Sequence, residues 1–415
     1  MTKGLNRTAT ALLALGCCMG AGFVASNGLA DVPQAPRLID SNSEAEPETA
    51  GGNPVLRDYL RGHAQHGWNE GQIGKPEEFW NQKVTSLPVD PTSASVTQYL
   101  GYVSRGDKSD PSTEFFGQFD MGSAALDQAY SHNVLIADSN TPKYEYTERT
   151  ISNGFREDDV FVPHCDRLRM PVPVGGRLQN EFDYQCTTQG DCHLYVLNPD
   201  TGILYEQWRA YNPGPDPRQY TGGCSTSWDL TVKQPPELRG LSCTSANAAG
   251  VPYTPMIVTP GEIKAGVIRH ALAFTMPNAW VQRDVYARPA THNPLRSQTW
   301  GQPEAAPGTP MLYGSRFRLR SNFVIDPSWP PALQVVLQAL KDYGMFHIDG
   351  GPRMIITSND YLSEHTWIQS DINLRPYDLT QTSNITWSDF ELVSDSRNIN
   401  SMNDIQCSRD PVYEF

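Results

Sequence analysis

The residues best suited to chemistry lie in one stretch, residues 193–210, HLYVLNPDTGILYEQWRA. Pro199-Asp200-Thr201-Gly202 carries turn chemistry. Pro presets φ, Asp bonds its own backbone and Gly takes the left-handed position. If Asn198 pairs with Ile203, the side chains sort at period two. One face then holds Leu194, Val196, Ile203 and Tyr205, and the other His193, Tyr195, Leu197, Leu204, Glu206 and Trp208. A carboxylate beside an indole, opposite a Tyr and a His, can hold a sugar and protonate it. Glu206 is the candidate general acid, with partial desolvation beside Trp208 raising its pKa. Trp208 is the stacking platform, and His193 and Tyr195 are substrate contacts. The competing reading is a solvated strand carboxylate paired with an arginine.

Glycoside hydrolysis needs a second carboxylate, to attack or to activate water. Asp229 beside Trp228 repeats the acid-plus-indole pairing, and Glu262 opens a short helix that it also caps. Asp349, before Gly350-Gly351, either opens a ligand approach or makes a turn. His270 shares a strand face with Leu272 and Phe274, as a core histidine does. Arg269 shares the other face with Ala271, Ala273 and Thr275, whose small side chains leave volume above a guanidinium. His292 sits in a Pro-bounded loop, a setting that favours chemistry over structure. Arg316, Arg318 and Arg320 alternate with Phe317 and Leu319, which spaces three guanidinium groups about 6.5–7 Å apart on one strand face. Such a ladder matches a polymer bearing a carboxylate on each sugar, or acidic residues of a neighbouring strand. If it binds substrate, β-elimination by a Tyr or His base enters as the alternative reaction.

Other chemistries are disfavoured. The chain has no Gly-x-Ser-x-Gly elbow, His-Glu-x-x-His motif, phosphate loop or dinucleotide fingerprint. Thr244-Ser245 reads as a helix cap rather than a nucleophile. His63 and His66 form a metal pair only on paper, next to a Pro/Glu/Ser-rich stretch. No metal and no cofactor is expected.

The elements that must position these groups are mainly β. The 33 Pro and 33 Gly in 415 residues leave little space for long helices. Clear strands are the hairpin, His270–Thr275, Arg316–Ile325 and Arg353–Thr357. Pro331–Tyr343 reads as a helix, with Ser328 as cap, Gly344 as stop, and Leu333, Val336, Leu337 and Leu340 on one face. Thr259-Pro260-Gly261-Glu262 is a capping-box pattern. The expected architecture is a β-sandwich or jelly-roll core with a few short helices.

Residues 1–30 read as a secretory signal, with Lys3 and Arg7 before an apolar run and Gly28-Leu29-Ala30 as a cleavage site. A lipoprotein anchor through Cys17 is the alternative. Residues 31–67 form a leader of disordered composition, and residues 68–415 one β-rich domain. Losing residues 1–30 removes two basic residues and no acidic one, taking the formal charge from −14 to −16. That balance disfavours nucleic acid, and no later segment is apolar enough to span a bilayer. The six remaining cysteines imply three disulfides, for which 15 connectivities exist. Cys186–Cys192 and Cys224–Cys243 are favoured as local loops, leaving Cys165–Cys407.

Several blocks resemble a large group of secreted bacterial proteins. They are Phe79-Trp80-Asn81 with Leu87-Pro88-Val89-Asp90, the hairpin through Tyr205-Glu206, and Thr244-Ser245-Ala246 with Ala249-Gly250. Gly261-Glu262-Ile263 through Leu272, Ala287-Arg288-Pro289 with His292, and Gly314 through Gly344 complete the match. The resemblance implies export and a single β-rich unit, and supplies no reaction. The expected function is therefore an exported, monomeric polysaccharide-active enzyme, hydrolase or lyase. The alternative is a non-catalytic glycan-binding or cell-envelope protein.

Overall fold

The computed structural model describes residues 65–104, 120–121, 132–148, 163–187, 190–212, 220–294, 310–358, 372, 374–375, 378–394, 399–402 and 406–413. Strands dominate, in several sheets, with few short helices. The expected signal segment and most of the expected leader lie outside the described residues. The leader's last residues do not. His66 is buried with its Nε2 2.8 Å from the Pro199 carbonyl, and the Gln65 side chain donates to Asp200 O.

Ten strands build the two larger sheets: β1 (Asp120–Met121), β2 (Val134–Ile136), β3 (Leu194–Asn198), β4 (Ile203–Trp208), β5 (Cys224–Asp229), β6 (Leu272–Met276), β7 (Arg316–Leu319), β8 (Met345–Gly350), β9 (Met354–Ile355) and β10 (Phe390–Leu392). One sheet runs β1-β9-β6-β8-β7-β10 and the other β2-β3-β4-β5. Both are mixed: β1/β9, β6/β8 and β2/β3 are parallel pairs. Sandwiches and jelly rolls are antiparallel, so what holds of the expectation is the coarser class, strand-rich with short helices.

The hairpin forms in the register its turn dictates, with Asn198 opposite Ile203 and Tyr195 opposite Glu206. The Asn198 side chain accepts the N–H groups of Asp200 and Thr201, and Gly202 takes a φ of 70°. Both of its faces are covered. Tyr195, Leu197, Leu204 and Trp228 join the main core, while Leu194, Val196 and Tyr205 pack in a second cluster with Leu168, Met170 and Leu178.

Three helices matter for position. α1 (Ser93–Val103) was not legible from spacing; it buries Ser93, Val96, Thr97 and Leu100. α2 (Pro260–Ala265) has the expected capping box, closed at its far end by Gly266 at a φ of 76°. α3 (Pro331–Asp342) buries Leu333, Val336, Leu337 and Leu340 as its spacing predicts, each contributing about 1.5–3 kcal/mol of transfer free energy. Ser328 does not cap it; Pro330 holds that position without a side-chain bond. The strand expected over Arg316–Ile325 stops at Leu319, because the chain turns at Ser321-Asn322.

Three disulfides close: Cys165–Cys224, Cys186–Cys192 and Cys243–Cys407. Only the Cys186–Cys192 pairing matches expectation. Asp166 bridges Ser225 in β5, which brings Cys165 alongside Cys224. Cys243 is left to tie down the C-terminal segment. Asp166 completes the tie, accepting from Arg239 Nη1 (2.6 Å), Arg409 Nη2 (2.7 Å) and Val412 N (3.0 Å). The two guanidinium groups overcome burial and hold its carboxyl below the usual range. Among the described residues no helix is long and apolar enough to cross a membrane.

Candidate functional site

Glu206 is wholly buried at the centre of β4. Its Oε1 accepts three bonds, from Tyr253 N (2.8 Å), Thr254 N (2.7 Å) and Thr254 Oγ1 (2.9 Å). Its Oε2 accepts from Trp228 Nε1 (3.2 Å). Burial pushes the carboxyl up to about 7, against the pull of these donors. The raised pKa was expected. The complete burial was not: the hairpin's Glu206 face packs on the main core rather than opening to solvent.

The other expected carboxylates do not converge on it. Asp229 is opposite Ile203, hence on the far face of the hairpin sheet, and accepts from Thr231 N and Oγ1. Glu262 caps α2, accepting from Thr259 N and Oγ1 through Oε2, while its Oε1 lies 2.8 Å from His270 Nε2. Burial opposes a charge on His270, but the Glu262 carboxylate beside it holds the imidazole above the ordinary histidine value. The pair lines a small pocket with Gln72, Thr254 and Ile257, and its polar atoms are committed to each other and to the backbone. His292 is buried, with Nδ1 on the Ala248 carbonyl at 2.9 Å.

The arginine ladder is turned to structure. Arg316 is buried, donates to the carbonyls of Tyr343 and Gln82, and stacks on Phe346. Arg318 and Arg320 share Glu391 of neighbouring β10, and Arg318 also donates to the Val84 and Leu87 carbonyls. The acidic residue of the next strand is thus the ladder's partner, so the ladder offers no row of open guanidinium groups to a glycan. Arg269 lies apart from the hairpin, its side chain against Gly71 and near Tyr343.

What the fold does bring together is a different set, at the end of the hairpin sheet where β3 begins and β8 ends. His193 and Tyr195 stack with ring centroids 5.4 Å apart. The His193 ring nitrogens face Gln179 Oε1 (2.5 Å) and the Ala246 carbonyl (2.9 Å). Gln179 Nε2 donates to His132 Nε2 (3.1 Å), whose Nδ1 lies 2.8 Å from Tyr195 Oη. Tyr253 stacks on His132 at 5.0 Å. Burial holds both histidines below the ordinary value and both tyrosines well above theirs.

Asp349 closes this cluster and keeps partial exposure. The register of β8 against β6 shifts between Phe274 and Thr275, which sets Asp349 opposite Thr275; such a bulge re-aims a side chain. The carboxyl accepts from Gly350 N (2.9 Å), and Tyr253 lies within electrostatic range of it. Burial first, then the negative charge of Asp191, push it up to about 8. Asp191 is exposed, and its Oδ1 accepts from Trp208 Nε1 (2.9 Å). Trp208 is half-buried with the Arg209 guanidinium 4.8 Å over its ring. No family model, curated protein or solved structure matches the chain.

Sequence reasoning found His193, Tyr195 and Trp208 and weighed Asp349, but passed over Asp191, His132, Gln179 and Tyr253. Asp191 stands in an Asp-Cys-His run and Tyr253 in Pro-Tyr-Thr-Pro; both are local signals of rigidly held polar groups. His132 and Gln179 had none, because pairing of β2 with β3 and the loop contacts of Gln179 bring them in. The group of Glu181 with Cys186 and Cys192 is not a metal centre in this form, since the two sulfurs are bonded to each other.

Proposed function

We propose that the protein is an exported glycan-cleaving enzyme of the hydrolase type, with Asp349 as general acid and Asp191 as the second carboxylate. One observation carries the reading: two interacting carboxylates whose environments differ, one desolvated and pushed up to about 8, the other exposed. A desolvated carboxyl beside an exposed one can divide the roles of proton donor and anion. Asp349 gives its proton to the glycosidic oxygen as the C–O bond breaks, and Asp191 attacks the anomeric carbon or takes a proton from the water that does. Trp208, half-buried beside Asp191, supplies the apolar platform for a sugar ring. Export through the expected signal, residues 1–30, belongs to this reading, and the three disulfides support it. The burial of His132, His193 and Tyr195 weighs against elimination by a Tyr or His base.

Incubation with a panel of neutral and acidic glycans tests the proposal. New reducing ends without unsaturated-uronate absorbance, lost by about 10²–10⁴-fold in Asp349→Asn, are expected. Unsaturated products would make it a lyase. The exposed edge of Trp208 also suits a non-catalytic glycan-binding protein; binding that Trp208→Ala abolishes, without cleavage of any glycan, would establish that instead.

A further inference from the structure

Glu181 is buried beside the Cys186–Cys192 disulfide, and both cysteines are buried with it. Its Oε1 lies 3.7 Å from Cys192 Sγ, while Thr187 Oγ1 donates to its Oε2 at 2.6 Å. The Thr187 hydroxyl thus holds one carboxylate oxygen and leaves the other facing the sulfur. A disulfide sulfur carries no hydrogen, so in the oxidised protein that contact is not a hydrogen bond. Only reduction gives the carboxylate a partner in this sulfur: a thiol that donates to it, or a metal ion that both bind.

We propose that reduction of Cys186–Cys192 opens a site for one soft divalent cation of the zinc type, held by Cys186 Sγ, Cys192 Sγ and Glu181 Oε1. The site is separate from the proposed hydrolysis and stands without it. A dithiol reductant supplies the two electrons and two protons that split the S–S bond, and leaves as its own disulfide. Metal binding then releases the two thiol protons to solvent. The cation cancels two of the three negative charges that burial would otherwise penalise.

The distances match a tetrahedral ion. The ligand atoms of the three residues already lie within 4.8 Å of one another. A zinc–sulfur bond of about 2.3 Å and a zinc–oxygen bond of about 2.0 Å, at the tetrahedral angle, set sulfur and oxygen about 3.5 Å apart. The Glu181–Cys192 edge stands at 3.7 Å before any metal enters. Two zinc-bound thiolates sit about 3.8 Å apart, a separation that side-chain rotation reaches from Cα atoms 5.7 Å apart. The fourth position falls to water, as it does at zinc sites with three protein ligands. Paired thiolates select a soft ion over calcium or magnesium. Thr187 fixes the orientation of Glu181, as outer partners do for metal ligands.

The test is protection from alkylation. The full chain is reduced with a phosphine in the absence of oxygen, given zinc(II) or none, and treated with iodoacetamide; peptide mass mapping then reads each cysteine separately. Zinc is expected to block Cys186 and Cys192 and to leave Cys165, Cys224, Cys243 and Cys407 as reactive as before. In equilibrium dialysis the reduced wild type retains one more zinc per chain than reduced Cys186→Ser/Cys192→Ser. Thr187→Val weakens that binding by about 10–100-fold, and Glu181→Gln by at least as much. Where full reduction unfolds the chain, the mapping is made at the lowest phosphine dose that opens Cys186–Cys192, and the same protection is expected. Equal alkylation with and without zinc, protection spread over all six cysteines, or protection unchanged in Glu181→Gln overturns the proposal.

Discussion

Glu262→Gln is nearly isosteric, yet the surroundings of His270 make it a strong perturbation. In the native protein His270 Nδ1 faces the Ala271 carbonyl (2.9 Å) and Nε2 faces Glu262 Oε1 (2.8 Å). Only the imidazolium donates to both; a neutral ring with its proton on Nδ1 sets a lone pair against the carboxylate. The folded-state pKa is raised, so the pair's contribution is fully present below the unfolded value, about 6.5. It is lost as pH rises from there through the folded value, at up to about 1.4 kcal/mol per pH unit for the single proton. In Glu262→Gln the amide oxygen can keep the Thr259 bonds while the NH₂ donates to a neutral His270. Burial, the largest of the effects, is then opposed only by the Ala271 carbonyl and depresses the imidazole pKa, so this variant loses stability as pH falls below about 6.5. At pH 5 the native protein is expected to lead by about 1.5–3 kcal/mol, the worth of a hydrogen bond between charged groups, and the gap closes or reverses by pH 9. Urea denaturation of both proteins with disulfides intact, followed by tryptophan fluorescence between pH 5 and 9, measures it. Taking the difference cancels the groups common to both, Glu206 and Asp349 included. A difference that does not change with pH, or that widens as pH rises, refutes the reasoning.

Arg316→Met leaves the buried Tyr343 carbonyl without its donor, at about 1–3 kcal/mol for a buried group left unpaired, while the carbonyl of exposed Gln82 can turn to water. Urea denaturation should show that loss with affinity for anionic glycans unchanged; lower affinity at unchanged stability would return the ladder to the binding surface. Replacing Cys243 and Cys407 together by Ser removes the tie that spans a sequence separation of 164. A loss of about 2–5 kcal/mol is expected, and a calorimetric melt identical to the native one would show that Asp166 and its arginines suffice.

What was legible in the sequence is what depends on near neighbours. The hairpin register followed from Pro199-Asp200-Thr201-Gly202, the α2 cap from Thr259 and Glu262, and the buried stripe of α3 from its apolar spacing. Period two correctly sorted the faces of the hairpin, but periodicity cannot say which face meets water when both are covered. That single ambiguity turned Glu206 from a surface acid into a buried one. The disulfide pairing failed for a related reason, since the Asp166–Ser225 bridge is a long-range contact with no local signature. Arg318 and Arg320 were read correctly as a spaced pair, and their partner Glu391 became visible only once β10 lay beside β7.

Glu206 and Asp349 are both desolvated and both pushed toward neutral pH, to about 7 and about 8. Desolvation therefore does not separate a structural carboxyl from the proposed general acid. Their surroundings do. Every contact of Glu206 is a donor held by the fold, no solvent reaches it, and a proton leaving it has nowhere to go. Asp349 is only partly buried as a residue and stands within the field of a second, exposed carboxylate, Asp191, which accepts from a half-buried indole.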